Sequence, residues 1–192
     1  MKSFKTLLIL SLVALLMSSC GYNTMVEKQE SVEAAWSQVE NVYQRRADLI
    51  PNLVATVKGY AEHEQATLTG VIEARSKATS VSIDASKLNE QNIKEFQAAQ
   101  DGLSQALSRL LVVQEKYPDL KANENFKDLQ VQLEGTENRI TVERQKFNDT
   151  ARDYNTYIRK FPHNIVAGIF SFDPKPYFAA AEGADKAPKV QF

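Results

Sequence analysis

Glycine and proline are scarce in this sequence, with seven and six residues among 192. Because these two residues end helices and form turns, their scarcity argues against a loop-rich fold and indicates a helical chain. Blocks of like charge are absent as well, since acidic and basic residues are interspersed and the net charge is −1. Nucleic-acid binding requires a concentrated basic surface, and the sequence therefore gives no reason to expect it.

Histidine occurs only twice, at His63 and His163. Glu62, His63 and Glu64 are consecutive, so on a helix their side chains point about 100° apart and cannot share one ion. The Gly-x-Ser-x-Gly turn of hydrolases and the glycine-rich phosphate loop are also missing. We therefore expect no metal, no cofactor, no small-molecule substrate and no catalytic residue. An enzyme with an active site between helices is the least favoured hypothesis.

Cysteine occurs once, at Cys20, and a single cysteine cannot form an internal disulfide. The chain begins MKSFKTLLILSLVALLMSSC, in which two lysines precede a run of ten residues, Leu7 to Leu16, that is apolar except for Ser11. Such a run reaches only about half of the hydrocarbon core of a bilayer, which favours a signal peptide over a permanent span.

Ser18 and Ser19 precede Cys20 in a pattern that resembles a bacterial lipobox, where small residues precede the cysteine that takes the lipid. We predict a signal peptide at 1–19 and lipid attachment at Cys20, with acyl chains such as palmitate holding the protein on the extracytoplasmic side of a membrane. An ordinary signal sequence followed by an unrelated cysteine is the alternative.

Apolar residues recur every three or four positions along most of the remaining chain, which predicts amphipathic helices. These stripes cover 22–78, 93–117 and 126–158. Segment 78–89 is rich in serine and other small residues, which predicts a loop. Asn123 is the predicted N-cap of the last long helix.

Pro51 lies within the first stripe, in YQRRADLIPNLVATVKGY, and two interpretations are open. One helix over 22–78 would be roughly 85 Å long, and Trp36 would have no obvious partner within the chain. A helix boundary between Arg46 and Pro51, with Asp48 as N-cap, gives helices of comparable length. The stripe stays in phase across Pro51, which a kinked continuous helix would explain. We favour the break, and hence an all-α, antiparallel, up-and-down four-helix bundle.

Some charged and amide side chains fall on or near the apolar stripes and so within the predicted bundle: Arg46, Glu64, Gln100, Gln114, Glu137 and Arg144. Buried charges need partners, so we expect inter-helix ion pairs that fix the register of the helices. A polar pocket between helices is the alternative. Gly135 lies inside the last long helix, where we expect the close approach of a bulky partner such as Trp36.

The bundle is predicted to occupy 20–160, and a C-terminal tail with short helices and an extended end is predicted at 161–192. The tail carries four aromatic residues that either cover the open end of the bundle or form a docking surface, namely Phe170, Phe172, Tyr177 and Phe178. Val190 and Phe192 alternate with polar residues at the extreme C-terminus, which is strand periodicity. PDZ domains of envelope proteases bind such ends by strand addition; folding of Phe192 onto the bundle is the alternative.

Six stretches of the chain resemble the LemA family: AWSQVENVYQRRADLIPNLVATVKGYAEHE, YPDLKANENFKDLQ, LEGTENRI, ERQKFNDTARDYNTYIRKFP, FDPKPYF and APKVQF. The resemblance implies an antiparallel helical bundle anchored by its N-terminus to a bacterial membrane, and it brings no catalytic residues. Many relatives use an N-terminal transmembrane helix, from which this chain departs at Cys20. Roles in envelope organisation and in magnetosome membranes are suggested for relatives.

These observations predict a lipid-anchored, non-enzymatic helical scaffold or adaptor of the bacterial cell envelope that binds unidentified protein partners. The second hypothesis is a regulator or ligand of an envelope protease, bound through the Val-x-Phe end at Val190 and Phe192.

Overall fold

A computed structural model of the chain describes the backbone of residues 2–179 and the side chains of residues 21–179. Within residues 2–179 the chain forms six α-helices and two short 3₁₀-helices, without a β-strand. The α-helices are α1 (Lys2–Tyr60), α2 (Gln65–Ser80), α3 (Glu90–Val113), α4 (Pro118–Ala122), α5 (Glu124–Arg159) and α6 (His163–Phe170), and the 3₁₀-helices are Ala85–Lys87 and Gln114–Lys116. The all-α prediction is confirmed, whereas the chain does not form four helices of comparable length.

Several predictions fall outside the described part of the chain. The signal peptide at 1–19 and the lipid site at Cys20 precede the described side chains, and Val190 and Phe192 lie beyond the last described residue. They stay predictions. Between Gly21 and Ala179, no helix is long and apolar enough to cross a membrane.

The predicted helix boundary before Pro51 is wrong, because α1 continues through Pro51 without interruption. Proline has no N–H for the carbonyl four residues earlier, which here belongs to Ala47. The side chain of Arg75, on α2, replaces the missing donor: its Nε–H donates to the Ala47 oxygen over 2.7 Å. Asp48 caps no helix and instead accepts a hydrogen bond from Gln44, one turn earlier. This hydrogen bond between two helices thus offsets much of the free energy that a proline inside a helix would otherwise cost.

The chain first reverses at 61–64, and α2 then packs against the second half of α1. One core forms there from α1, α2, α3, α4 and α5, and we call it the Leu53 half. Its buried residues are Ile50, Leu53, Val57, Ala61, Leu68, Val71, Ala78, Leu103, Ala106, Leu107, Leu110, Val113, Leu120, Phe126 and Leu133.

The first half of α1 packs against a second core, which we call the Trp36 half. Its buried residues are Met25, Val32, Trp36, Val39, Tyr43, Ile83, Leu88, Ile93, Phe96, Ile140, Phe147, Ala151, Tyr154, Ile158, Ala167 and Phe178. Helix α5 runs antiparallel to α1 through both halves, since Glu137 contacts Arg46 whereas Phe147 contacts Trp36. The loop between α2 and α3 supplies Ile83 and Leu88, so the aromatic residues of α1 are covered without a break at Pro51.

The ends of the long helices are fixed by asparagine side chains. The Asn123 carboxamide accepts from the Phe126 N–H over 2.9 Å, which confirms it as the N-cap of α5. Asn89 and Asn92 form a reciprocal capping box at the start of α3. At the other end of the molecule Ser171, in the left-handed conformation at φ 56°, ends α6.

Candidate functional site

Residues 172–179, which we call the C-terminal strap, have no regular secondary structure and lie along α5. Two asparagines of α5 hold the strap through paired hydrogen bonds. Asn155 accepts from the Lys175 N–H over 2.8 Å and donates to the Lys175 oxygen over 2.7 Å. Asn148 makes the same pair with Phe178, over 2.9 and 3.2 Å. Each carboxamide thus pairs with the backbone as a neighbouring β-strand would.

The spacing of the two asparagines matches the strap. Asn148 and Asn155 are separated by seven helical residues, or about 10.5 Å at 1.5 Å per residue. The three residue-to-residue steps from Lys175 to Phe178 span about 10 Å when the chain is extended. The numbering decreases along α5 as it increases along the strap, so the two segments are antiparallel.

Further polar contacts hold both ends of the strap. The Tyr154 hydroxyl donates to the Asp173 oxygen over 3.1 Å. Arg144 and Gln97 both donate to the Ala179 oxygen, over 3.0 and 3.5 Å. Burial and, secondarily, the nearby charges of Asp173 and a glutamate raise the pKa of Tyr154 to about 12. The tyrosine is neutral at physiological pH in any case, and the raised pKa keeps it a hydrogen-bond donor to a higher pH than an exposed tyrosine.

Phe178 is the central apolar contact of the strap. Its ring stacks on Trp36 at 5.8 Å and 17°, and meets Phe147 edge to face at 5.5 Å. The Arg144 guanidinium lies 4.7 Å from the centre of the same ring. Of the four tail aromatics in the sequence prediction, Phe178 is therefore part of the core and is not available to a partner while the strap is bound.

The other three aromatic residues, Phe170, Phe172 and Tyr177, each contact another side chain, and two of them are also exposed to solvent. The Tyr177 ring is exposed, although its hydroxyl accepts from Asn155 Nδ2 over 2.9 Å. Phe172 is half-buried and Phe170 is exposed, and both rings pack against Tyr22, with centroids 5.5 and 4.9 Å away. Among the predicted partner-binding residues up to Ala179, Phe170 and Tyr177 thus present the most surface.

A buried arginine joins four helices near the middle of the molecule. Arg46 donates through Nη1 to Ser104 and to Glu137, each over 2.9 Å, and through Nη2 to the Gln100 side chain over 2.7 Å. Gln100 in turn donates to the Ala78 oxygen at the end of α2. Only Nε of Arg46 has no partner. The network is an inter-helix contact of the kind expected to fix register, because a misplaced helix would leave a buried charge unpaired.

A small cleft of about 120 Å³ lies beside this network. Its polar lining residues are Glu40, Tyr43, Gln44, Thr79, Ser82 and Gln100. Burial raises the pKa of the Glu40 carboxyl, and the nearby N–H groups of Trp36 and Ile83 lower it in part. The Trp36 Nε1–H itself makes no hydrogen bond of standard geometry. The cleft admits a few water-sized molecules, and its lining contains no nucleophile paired with a base.

Glu64 belongs to a separate contact at the turn between α1 and α2. It accepts from the Tyr117 hydroxyl over 3.3 Å and lies 3.9 Å from Lys116 Nζ. Gln114, half-buried, opens the adjoining 3₁₀-helix. Over residues 21–179, no group of three or more His, Cys, Asp or Glu side chains could hold a metal ion.

The expected close contact between Gly135 and Trp36 is wrong, since no neighbouring atom would lie within 4 Å of a Cβ at Gly135. Asn148 and Asn155 were not among the predicted site residues. A signal was nevertheless present, because asparagine is a poor helix former and two of them occur seven residues apart in the interior of α5. Their common partner is far away in sequence, so the strap contact itself left no local pattern.

The sequence model of the LemA family matches residues 35–192 of this chain. Protein LemA of Metamycoplasma hominis is 24% identical over 160 residues, which cover 83% of this chain and 69% of that protein. Magnetosome protein MamQ of Magnetospirillum gryphiswaldense is 29% identical over 199 residues, covering 92% of this chain and 72% of that protein. Magnetosome protein MamQ 2 of Paramagnetospirillum magneticum is 29% identical over 185 residues, which are 85% of this chain but only 66% of that protein. Because the family model covers most of its length, the chain belongs to the LemA family.

Proposed function

We propose that this protein is a lipid-anchored, non-enzymatic helical scaffold or adaptor of the bacterial cell envelope. The lipid is attached at Cys20, and the helical body stands on the extracytoplasmic side of the membrane, where it binds protein partners. The relatives named magnetosome proteins support an association with a membrane.

The observation that carries the proposal is that polar side chains in the interior are already hydrogen-bonded to other parts of the protein. The guanidinium of Arg46 is shared among acceptors on two other helices, and Asn148 and Asn155 are occupied by the strap. These groups hold helices in place and are not free to act on a substrate. We further propose that α1, α2, α3 and α5 form a four-helix bundle, with unequal lengths and without the helix boundary that was predicted before Pro51.

The length of α1 suits a scaffold. From Gly21 to Tyr60 the helix has forty residues, or about 60 Å at 1.5 Å per residue. Helix α5 packs along it and stiffens it, and this paired rod would present its exposed surface to partners at a fixed distance from the membrane.

Replacement of Cys20 tests the anchor. We expect Cys20→Ala to remain unprocessed or to leave the membrane fraction, and to lose incorporation of a labelled fatty acid. Ser18→Ala keeps a small residue before the cysteine and is the matched control. Unchanged membrane attachment and unchanged mobility of Cys20→Ala would refute lipidation. In-cell crosslinking through exposed positions of α1 and α5, followed by mass spectrometry, identifies the partners.

The second candidate function is regulation of an envelope protease through the C-terminal Val-x-Phe end. It is favoured by the strap, whose hydrogen bonds fix the chain at Ala179, the last described residue before the Val-x-Phe end. A labelled peptide ending in APKVQF is titrated against envelope PDZ domains, with a peptide lacking Phe192 as control. Binding weaker than about millimolar, or equal binding of both peptides, contradicts this role.

A further inference from the structure

A group of large apolar side chains is exposed at one end of the molecule, within ten residues of sequence. Phe161 is 80% exposed, Ile165 54% and Ile169 70%, and we call these three residues the α6 face; Phe170, 57% exposed, packs on Tyr22 from another side of the helix. Ile165 and Ile169 are one turn apart and share one side of α6, whereas Ala167 is buried against the core. Single exposed apolar residues are ordinary, but several large ones concentrated in and directly before one short helix indicate an interaction surface.

The α6 face lies beside the first described side chains of α1. A Cβ at Gly21 would be 3.3 Å from His163 Cδ2, at the start of α6. The Tyr22 ring meets Phe170, at the end of α6, with centroids 4.9 Å apart. Because α6 is only about 12 Å long, contacts of both its ends with two consecutive residues of α1 place it across α1 rather than along it. Gly21 directly follows Cys20, so the α6 face is next to the predicted site of the lipid.

Positive charge adjoins this apolar group. Arg159 and Lys160, both exposed, immediately precede Phe161, and Lys28 lies 5.7 Å from the centre of the nearby Tyr157 ring. Apolar side chains flanked by lysine and arginine are typical of segments that lie in the interface of a bilayer. There the apolar groups enter the acyl boundary and the cations meet anionic headgroups.

We propose that the α6 face inserts into the surface of the lipid bilayer beside the anchor, so that α6 lies in the headgroup region. This inference rests on the proposed function, because the anchor at Cys20 is what brings α6 to the membrane. A second point of attachment stops the helical body from pivoting about a flexible lipid and sets the direction in which α1 projects.

The test uses the full chain reconstituted into vesicles of phosphatidylethanolamine and phosphatidylglycerol. A lipidated Cys20 has no free thiol, so Ile169→Cys provides the only site for an environment-sensitive fluorophore. Val131→Cys, at a comparably exposed position on α5 in the Leu53 half, is the matched control. We expect lipids that carry a nitroxide near the headgroup to quench the label at position 169 several-fold more than the label at position 131.

A second pair of variants assigns the quenching to the α6 face. In the Ile169→Cys protein, Phe161→Ser combined with Ile165→Ser is expected to abolish the quenching, whereas Val112→Ser combined with Val142→Ser leaves it unchanged. Equal quenching at 169 and 131 in protein that stays with the vesicles overturns the inference but not the anchor. Loss of the protein from the vesicles refutes the anchor and the inference with it. A protein-concentration-dependent blue shift at 169 without lipid quenching assigns the face to a second copy instead and also overturns it.

Discussion

The Leu53 half and the Trp36 half of this molecule are closed in different ways. The Leu53 half is closed by helices that follow one another closely in sequence, and its buried residues come almost entirely from amphipathic helical stripes. The Trp36 half is closed by the loop residues Ile83 and Leu88 and by Phe178 of the strap, which lies more than a hundred residues from Trp36 along the chain. Helical periodicity alone therefore accounts for one half of the core, whereas the other half requires segments without periodicity.

The difference has an energetic side. Helices satisfy their own backbone groups, but an extended strap cannot, so each strap residue that approaches the core needs an external donor and acceptor. Asn148 and Asn155 supply them to Phe178 and Lys175. We therefore expect release of the strap to open the Trp36 half and to leave the core of the Leu53 half closed.

Phe178→Ala should have the largest effect on stability. The structural change that it causes should be confined to the Trp36 half. Loss of a buried phenylalanine ring costs about 3–5 kcal/mol of unfolding free energy. Trp36 is the sole tryptophan, so its emission should shift to the red in the native state as its stacked partner is lost. Leu53→Ala, which costs about 2–5 kcal/mol in the other half, should leave that emission unchanged. An unshifted emission in Phe178→Ala would show that the strap is not packed on Trp36.

Arg46→Ala should lower the unfolding free energy by about 3 kcal/mol and should weaken both halves together. Arg46 lies between the two halves, and its removal leaves the Gln100 side-chain oxygen without this donor. The measurement is chemical denaturation followed by helix content and by Trp36 emission, and the two transitions should coincide. Glu137→Gln is the comparison. Glu137 is about half exposed, so that change should cost less than about 1 kcal/mol. Equal losses for the two variants would contradict the buried character of the network.

Asn155→Ala should cost about 2 kcal/mol, because the buried N–H and carbonyl of Lys175 both lose their partner. Hydrogen exchange of the Lys175 and Phe178 amides should accelerate while amides of the Leu53 half keep their protection. Asn164→Ala, at an exposed position of α6, should change stability by less than about 0.5 kcal/mol. Faster exchange in both halves would mean that the strap holds the entire molecule together.

Tyr154→Phe should cost about 1 kcal/mol at neutral pH through loss of the hydrogen bond to Asp173. The tyrosine pKa rises from 10.0 to about 12 on folding, so the folded protein holds this proton more tightly than the unfolded chain. Its contribution is complete below pH 10 and declines as the pH rises to about 12. The wild-type protein should therefore lose stability faster than Tyr154→Phe across that window; parallel pH profiles would contradict the burial of this hydroxyl.

Gly135→Ala should have the smallest effect and the opposite sign, raising stability by about 0.5–1 kcal/mol. Gly135 is exposed within α5, and a methyl group there would meet no atom within 4 Å apart from its chain neighbours and the adjacent backbone of its own helix. Gly21→Ala is the matched control, because its methyl group would lie 3.3 Å from His163 and so should bring less gain or none. A thermal melt of the two variants measures the difference, and a loss of stability in Gly135→Ala would indicate an unrecognised contact.

The aromatic tail illustrates how far the candidate site could be predicted. The sequence located Phe170, Phe172, Tyr177 and Phe178 in one irregular segment, and covering of the bundle end was one of the two interpretations offered. It could not separate Phe178, which is buried on Trp36, from Phe170, which is exposed on α6, because both are phenylalanines in a segment without periodicity. Their burial depends on where α5 and α1 place Asn148 and Tyr22.

By itself the sequence determined the helical class, the stripes that form the core, the Asn123 cap and the family, because these depend on spacing and on side chains near one another in the chain. The course of the chain at Pro51 was decided only by tertiary structure. A proline interrupts a helix when its missing hydrogen bond stays unmet, and here Arg75 of another helix donates to the Ala47 oxygen. The closing of the Trp36 half was decided in the same way, by Asn148 and Asn155 acting on a distant strap. In both places a side chain far away in sequence satisfies a backbone group, and such a contact exists only once the chain has folded.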